Sequence, residues 1–259
     1  MRRLALIFGL VLILCSCNKQ SPTTLTVGTI SGPESTLVEK AKEIAQKKYG
    51  LQIKIIEFND YNLPNEALQD GSIDVNIYQH LPYLQTAMKM HHYPFEVIGR
   101  TFVYPMAIYS EKYKKISKLR PRATIAIPND PSNEGRALLL LQNAGLITLK
   151  KHLTNTLADI KSNPDHYQFK ELDAAQLPRT LADVDAAVIN TTFALPAGLR
   201  PSKDGLYVEN KHSPYANLIV IRKDSIKKPQ LQQFVLAMNS SAVKLQAKKL
   251  FGDAAIPAW

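Results

Sequence analysis

Residues 25–58 alternate between two hydrophobic periods, and this alternation constrains the fold more than any other feature of the chain. Leu25 to Ile30 alternates apolar and polar residues, which is typical of a strand. Glu34 to Tyr49 carries its apolar residues on one helical face, and Gly50 closes that helix. Leu51 to Phe58 alternates again and predicts a second strand. This order predicts a right-handed crossover between two parallel strands, so we expect an α/β fold.

Polar and aromatic side chains follow several of the predicted strands. Ile73 to Ile77 predicts a third strand, and Ala186 to Ile189 predicts a buried strand further along the chain. In open α/β sheets the loops at the carboxyl ends of the strands form the binding crevice, so we expect a ligand site there. The residues at or near such positions are Tyr61, Tyr78, His80, Tyr104, Arg136, Asn190 and Asn217.

One strand-to-helix junction, between Ala123 and Gly145, has the composition of an anion site. Asn129-Asp130-Pro131 is typical of a turn, and Ser132 and Asn133 are candidate N-cap residues of the following helix. A helix start presents unpaired backbone N–H groups and the positive end of the helix dipole. We expect Arg136 in the first turn, where its guanidinium group adds donors for a carboxylate. The alternative is an ordinary helix with a surface arginine.

The positive charge of the chain does not indicate a nucleic-acid site. The formal net charge is +10 and the pI is about 9.5. However, basic residues are interspersed with carboxylates, as in residues 39–43, and no long basic run occurs. We therefore interpret the charge as belonging mainly to solvated faces.

The N-terminus has the pattern of a lipoprotein signal. A short basic start precedes the apolar run Leu4 to Leu14, which is too short to span a bilayer as a mature helix. Leu14-Cys15-Ser16-Cys17 then resembles the bacterial lipobox. We predict a signal peptide over residues 1–16, acylation of Cys17, for example with palmitate, and a tether over residues 17–24. The protein would be lipid-anchored in the cell membrane and would face the periplasm or the cell exterior. An ordinary cleaved signal peptide is the alternative.

Motifs of common enzyme classes are absent from the sequence. It contains no G-x-S-x-G, H-E-x-x-H, Walker A or G-x-G-x-x-G pattern, and no cysteine follows Cys17. We therefore expect no catalytic residue, no metal site and no cofactor. The residues at the strand ends instead suit an amino acid. Arg136 would bind its carboxylate, amide oxygens of Asn190 and Asn217 its ammonium group, and aromatic rings an apolar side chain.

A series of motifs runs through the chain from about residue 25 to the carboxyl terminus. The motifs are Phe58–Tyr61 with Leu63–Leu68, Gln79–Leu84, Thr101–Pro105, Ile127–Arg136, Gln176–Arg179, Val188–Thr192 and Ser213–Val220. In this combination they resemble the methionine-binding lipoproteins of bacterial ABC importers, the NlpA/MetQ family.

The resemblance implies a two-lobed, periplasmic-binding-protein-like fold of type II with a ligand cleft between the lobes. Lobe one would comprise residues 25–109 and 214–259, and lobe two residues 110–213. By the family pattern, Arg136 would hold the ligand carboxylate, and Asn190 and Asn217 would bind the head group. The side-chain pocket would be lined by Tyr61, Tyr78, His80 and Tyr104. Position 78 is a tyrosine where the family often has phenylalanine, so its hydroxyl group changes the polarity of the pocket.

The function implied by the resemblance is transport rather than catalysis. The protein would capture methionine, most simply L-methionine, and deliver it to a membrane permease and its ATPase. Three alternatives remain open: a binding lipoprotein for another apolar amino acid or a short peptide, a non-transport envelope lipoprotein, and a hydrolase that uses a cleft carboxylate.

Overall fold

The computed structural model of the protein describes residues 24–150, 155–210, 213–225 and 229–259. The predicted signal peptide and Cys17 lie outside the described residues. The strands are β1 (Leu25–Ile30), β2 (Ile53–Phe58), β3 (Val75–His80), β4 (Phe95–Val103), β5 (Ala107–Tyr109), β6 (Thr124–Pro128), β7 (Thr148–Leu149), β8 (Ile160–Ser162), β9 (Gln168–Leu172), β10 (Ala186–Ile189), β11 (Tyr207–Val208), β12 (Ala216–Arg222) and β13 (Ile256–Pro257). The α-helices are α1 (Pro33–Tyr49), α2 (Leu63–Asp70), α3 (Leu81–His91), α4 (Pro131–Asn143), α5 (Thr191–Ala194), α6 (Pro201–Asp204), α7 (Pro229–Met238) and α8 (Ser241–Phe251).

The first sheet has six strands in the order β13-β4-β12-β3-β1-β2. β1 is parallel to both β2 and β3, as the crossover prediction required, while β12 is antiparallel to β3 and β4. α1, α7 and α8 bury their apolar faces in one cluster that includes Leu37, Phe234 and Val243. A second cluster, with Leu68 of α2 and Leu84 of α3, packs on Val220 of β12. Helices therefore cover the sheet, as expected when parallel strands are buried.

The second sheet has five strands in the order β11-β5-β10-β6-β9. β6 is parallel to β10 and β9, and β5 is antiparallel to β10. α4 contributes Leu138 and Leu141 to the core on one side, and Leu177 and Leu181 pack on the other. The apolar and polar residues of Tyr167 to Leu172 indicate an edge strand, and β9 lies there at the edge of this sheet.

The chain passes from the first sheet to the second between β4 and β5, and it returns between β11 and β12. The fold is therefore α/β with two lobes, as predicted. Residues Ala107–Tyr109, which the sequence analysis placed in lobe one, pair with β10 and β11 of the second sheet. Among the described helices, none is long and apolar enough to cross a membrane.

Two helix boundaries differ from the sequence-based expectation. The apolar spacing of Gln230 to Leu250 predicts one helical tail, but the segment forms α7 and α8. The Ser240 hydroxyl caps α8 by accepting from the Val243 N–H at 3.4 Å. α4 begins at Pro131, and its N-cap is Asp130 rather than Ser132 or Asn133. Arg136 therefore lies in the second turn of α4, not the first.

Candidate functional site

All seven predicted site residues line a single cavity where the two lobes meet. The space inside it that no atom fills, open solvent included, is about 350 Å³. The predicted lining residues are Tyr61, Tyr78, His80, Tyr104, Arg136, Asn190 and Asn217, and the cavity is also lined by Gln79, Tyr83, Asn133, Thr191 and Thr192. His80 ends β3, and Asn190 directly follows β10, so strand ends from both sheets supply the walls.

Arg136 forms the charged end of the cavity, and its guanidinium group is already held by the protein. Nε donates to Glu209 Oε1 at 2.9 Å, and Nη2 donates to Glu209 Oε2 at 2.5 Å and to the Tyr104 carbonyl oxygen at 2.9 Å. The Tyr215 ring lies 4.3 Å from the guanidinium carbon, close enough for a cation–π contact. Within the described residues, Nη1 has no hydrogen-bond partner, so its two N–H groups remain for a ligand.

The start of α4 does not act as an open anion receptor. The Asp130 carboxylate accepts from the backbone N–H of Asn133 at 2.9 Å and from its side-chain amide at 3.1 and 3.0 Å. Burial raises the pKa of Asp130, while these hydrogen bonds oppose the increase. Because the chain's own carboxyl group fills this position, the anion-binding capacity of the junction depends on Arg136 rather than on the helix terminus.

Asn133 connects the two lobes on the wall of the cavity. Its Oδ1 accepts from Asn190 Nδ2 at 2.9 Å and lies 3.3 Å from His80 Nε2. His80 Nδ1 accepts from the Tyr83 backbone N–H at 3.3 Å, which assigns the proton of the imidazole to Nε2. Burial, helped by the nearby Arg136 charge, lowers the pKa of His80 to about 3, so the ring is neutral.

Asn190 and Asn217 present amide groups to the cavity. Asn190 Nδ2 donates to Asn133, which fixes the orientation of the amide group. Asn190 Oδ1 is then buried and has no hydrogen-bond partner within the described residues. A buried carbonyl oxygen without a donor is a suitable position for an ammonium group. Asn217 lies opposite His80 in the β12–β3 pair and is also buried.

The other end of the cavity is aromatic. The Tyr78 ring lies 5.8 Å from each of the rings of Tyr61 and Tyr83, and Tyr61 in turn lies 4.8 Å from Phe193. The Tyr83 hydroxyl donates to the Tyr61 carbonyl oxygen at 2.8 Å and fixes this cluster. Aromatic walls of this kind suit an apolar or thioether side chain.

Direct contacts between the lobes enclose the cavity. Besides the His80–Asn133 contact, the Thr192 hydroxyl of α5 donates to Glu34 Oε1 of α1 at 2.5 Å. Glu34 is buried, and burial raises its pKa to about 7. The Tyr61–Phe193 ring contact also joins residues of different lobes. The structure is therefore a closed form of the cleft.

Comparison with known proteins identifies the family. The model of the NlpA lipoprotein family matches residues 25–259. The chain belongs to the NlpA lipoprotein family. It is 46% identical to the D-methionine-binding lipoprotein MetQ of Escherichia coli strain K12, over 98% of this chain and 96% of MetQ. It is also 42% identical to Lipoprotein 28 of the same strain, over 98% of this chain and 95% of that protein.

Solved structures of NlpA-family relatives have the same fold. A crystal structure of the methionine-binding protein MetQ matches with a TM-score of 0.90 and 46% identity, covering 92% of this chain and 99% of that one. A nutrient-binding protein from Burkholderia cenocepacia, solved with methionine bound, matches with a TM-score of 0.89 and 45% identity, covering 91% and 100%. A periplasmic substrate-binding protein of an ABC transporter from Coxiella burnetii is 55% identical with a TM-score of 0.88, covering 90% and 100%.

Several residues in or behind this NlpA-family cavity have no role in the sequence-based predictions. Asn133, which lines the cavity, was considered only as a helix cap. Glu209 and Glu34 do not line the cavity but hold Arg136 and Thr192, which do, and neither was considered. Tyr83 had a usable signal, since it lies within the Gln79–Leu84 motif beside His80. In the described residues, no group of three or more His, Cys, Asp or Glu side chains is placed to hold a metal ion.

Proposed function

We propose that this protein is the substrate-binding lipoprotein of an ABC importer and that it captures methionine between its lobes. The observation that carries the proposal is the complementarity between the two ends of the cavity and an amino acid with an apolar side chain. The charged end offers the free Nη1 donors of Arg136 and the free Oδ1 acceptor of Asn190, while the other end is built from tyrosine rings. The names of the MetQ relatives and the methionine-bound relative support the same ligand.

In this proposal the ligand carboxylate binds to Arg136, and the ammonium group binds to Asn190 with help from Asn217. The methionine side chain lies among Tyr61, Tyr78 and Tyr83. Charge-assisted hydrogen bonds to the head group supply most of the affinity, and burial of the thioether adds to it. The reaction is binding and release, so the protein performs no covalent chemistry.

Closing of the lobes would couple ligand capture to delivery. Contacts such as His80–Asn133 form only when the lobes meet, so a ligand that bridges both lobes stabilises the closed form. A permease with its ATPase would then recognise the loaded protein. Acylation of Cys17 would hold the protein at the membrane, facing the periplasm or the cell exterior, and replacing Cys17 by Ser should release it into the soluble fraction.

The ligand is tested by native mass spectrometry of the soluble body purified without Cys17, before and after ligand is removed by unfolding. We expect a bound mass equal to methionine, and we expect the stripped protein to rebind it. Titration calorimetry with L- and D-methionine then gives the stereochemical preference. Another bound amino acid or peptide would replace the substrate and keep the binding role. An empty protein that ignores added methionine would contradict the proposal and favour an envelope-partner function.

A pair of arginine variants separates the site from general charge. Arg136→Met should weaken methionine binding by at least about 100-fold, since a charged hydrogen bond contributes about 1.5–3 kcal/mol and two are available. Arg120→Met removes an arginine whose side chain is 67% exposed. This arginine forms an ion pair with Asp185, away from the cavity. It should leave binding within about twofold of the unchanged protein.

A further inference from the structure

The exposed side of helix α8 combines a leucine with three lysines. Leu245 is 58% exposed. On the helix it lies among Lys244, Lys248 and Lys249, which are exposed as well. The opposite side of α8, which includes Val243, is buried in the core of the first lobe. The helix is therefore amphipathic with a basic outer side, and we refer to residues 244, 245, 248 and 249 as the α8 surface.

The α8 surface continues into a groove between α8 and the C-terminal strand β13. Leu245, Ile256 and Pro257 are the larger apolar residues that line this groove, and two of the lysines line it too. Asp253 is the acidic residue among the lining residues. A single exposed leucine is ordinary on a protein surface. Here the leucine adjoins further apolar surface and is surrounded by positive charge, which is typical of a surface that meets a partner.

The positive charge of the α8 surface is not balanced by nearby carboxylates along the chain. Residues 225–252 contain five lysines, three of them on α8, and neither aspartate nor glutamate. On helix α1, which packs against α8, the exposed glutamates Glu39 and Glu43 are paired with Lys42 and Lys40 of the same helix. The partner that suits the α8 surface is therefore an anionic one that also accepts an apolar side chain.

The tether from the predicted lipid anchor enters the same part of the first lobe. Residues 17–24 precede β1, and even when fully extended they span at most about 29 Å. Leu25, where β1 begins, belongs to the same core cluster as Val243 of α8. An acylated Cys17 would therefore keep α8 close to the bilayer, where the high effective concentration allows weak contacts to form.

We propose that the α8 surface docks on the anionic phospholipid headgroups of the membrane that holds the lipid anchor. The three lysines contact the phosphate groups, and Leu245 enters the boundary between headgroups and acyl chains. The body then rests on the bilayer in one orientation. No residue of the α8 surface lines the cavity, so docking leaves the ligand site free. The proposal goes beyond the proposed function and shares with it only the acylation of Cys17.

The test measures hydrogen exchange of the mature, acylated protein in two kinds of vesicle at equal protein density. One kind contains phosphatidylcholine alone, and the other contains phosphatidylcholine mixed with phosphatidylglycerol. We expect the backbone N–H groups of residues 241–252 to exchange at least about fivefold more slowly in the anionic vesicles, the equivalent of one lysine at an anionic surface. At about 1 M salt, where the Debye length is about 3 Å, the difference should disappear.

Two triple variants separate the α8 surface from net charge. The first replaces Lys244, Lys248 and Lys249 by Gln. The control replaces three exposed lysines of the second lobe by Gln: Lys118, Lys161 and Lys170. We expect the first variant to lose the difference between the vesicles and the control to keep at least half of it. Both should bind methionine as the unchanged protein does, which shows that they are folded, because none of the six lysines lines the cavity.

Equal exchange in the two kinds of vesicle would overturn the proposal. An equal effect of the two triple variants would also overturn it, since the contact would then follow net charge. Slowing that grows with protein density and not with lipid charge would assign the α8 surface to a second copy of the chain instead. A protein that docks through α8 but ignores methionine would support this proposal and contradict the proposed ligand, so the two can fail separately.

A fluorophore provides a second measurement, which leaves the lysines unchanged. No cysteine follows Cys17, so Ala242→Cys gives the mature, acylated chain one reactive thiol, at an exposed position beside the α8 surface. An environment-sensitive label there should emit more strongly, and be quenched less by iodide, in the anionic vesicles. The same label on Ser162→Cys, an exposed position of β8 in the second lobe, should not change. Equal changes at both positions, or no change at position 242, would overturn the proposed orientation.

Discussion

The Glu209 carboxylate holds the Arg136 guanidinium group through two hydrogen bonds, at 2.9 and 2.5 Å. The two side chains are only 4% and 12% exposed. Glu209 also accepts from the Met106 backbone N–H at 3.1 Å, so the pair ties α4 to the segment that enters the second lobe. Arg136 is therefore fixed in place before a ligand arrives, and its charge is partly balanced.

The Arg136–Glu209 pair predicts that removing one of the two charges lowers the free energy of unfolding more than removing both. Arg136→Met leaves a buried carboxylate without its partner, and we expect the free energy of unfolding to fall by about 3–5 kcal/mol. The double variant Arg136→Met with Glu209→Gln removes both charges and should recover at least half of that loss. Chemical denaturation measures both values. Methionine binding should weaken by at least about 100-fold in both variants, since Nη1 is absent from each.

A stability loss in the double variant as large as that in Arg136→Met would contradict this account of the pair. Methionine binding that survives in the stable double variant would show that the ligand carboxylate binds elsewhere. The two readouts therefore distinguish the role of Arg136 in the fold from its role towards the ligand.

His80 predicts a second effect, which depends on pH. The pKa of His80 is lowered to about 3 in the folded protein, while the unfolded imidazole titrates near its usual 6.5. Between these values the unfolded state binds a proton that the folded state does not, so this contribution to stability is lost as the pH falls from about 6.5 to about 3. The stability advantage of the unchanged protein over His80→Gln should shrink by about 2 kcal/mol between pH 7 and pH 5.

Denaturation of both proteins at the two pH values measures that difference, because other titrating groups are common to both. Nitrogen-15 spectra of the histidines provide an independent check. We expect His80 to stay neutral with its proton on Nε2 from pH 8 down to pH 5. A stability difference that does not change with pH, or a His80 ring that becomes charged above pH 5, would contradict the burial argument.

Sequence patterns predicted the strands, because strands follow from local periodicity, and the candidate residues that line the cavity, because most of them lie near strand ends. The strand at Ala186–Ile189 was predicted to the residue, since a short β-branched run between polar residues has few alternatives. Asn190 then follows from topology, because side chains after parallel strands meet at one edge of the sheet. The ordering of the motifs added the identity of the family, which single motifs do not carry.

Features that depend on tertiary contacts were not predicted. Glu209 supports the cavity from behind Arg136 only because β11 pairs with β5 and brings it beside that arginine. The choice of Asp130 over Asn133 as N-cap depends on a hydrogen bond that several polar residues in a row can each supply. The break between α7 and α8 was missed because apolar residues continue at helical spacing on both sides of it.

The break in the helical tail makes a prediction that concerns stability alone. Ser240 caps α8 through the Val243 N–H, so Ser240→Ala should lower the free energy of unfolding by about 1 kcal/mol. Ser240→Asp keeps an acceptor at the cap and should be close to neutral. Thermal or chemical denaturation measures both. Methionine affinity should stay the same in each variant, because α8 does not line the cavity. If Ala and Asp behave alike, the cap does not contribute.

Glu34 and Thr192 join the lobes through a carboxyl group that prefers to be neutral. Burial raises the pKa of Glu34 from 4.5 to about 7, and the Thr192 hydrogen bond only partly opposes this. Burial, together with the nearby Glu34 charge, raises the pKa of Tyr61 and of Tyr104 well above the usual value. An unfolded or opened chain exposes the carboxyl to water. The closed form therefore holds a proton that the open and unfolded forms release. Its free-energy advantage over those forms is lost as the pH rises from about 4.5 to about 7.

This linkage predicts that Glu34→Gln changes the pH dependence of ligand binding, since closing of the lobes accompanies capture. Glutamine keeps an acceptor for the Thr192 hydroxyl and cannot ionise, so the variant lacks the cost of burying a charge. We expect the ratio of the methionine dissociation constant of the unchanged protein to that of Glu34→Gln to rise between pH 5 and pH 7, by at least about tenfold, and to level off above pH 7. Calorimetry at four pH values measures the ratio, in which the contribution of His80 cancels.

Glu39→Gln changes an exposed glutamate on the same helix, at 51% side-chain exposure, and should follow the unchanged protein at every pH. A ratio for Glu34→Gln that is constant from pH 5 to pH 8 would mean that Glu34 is equally hydrated in the open and closed forms, and the interlobe hydrogen bond would then have no part in closing.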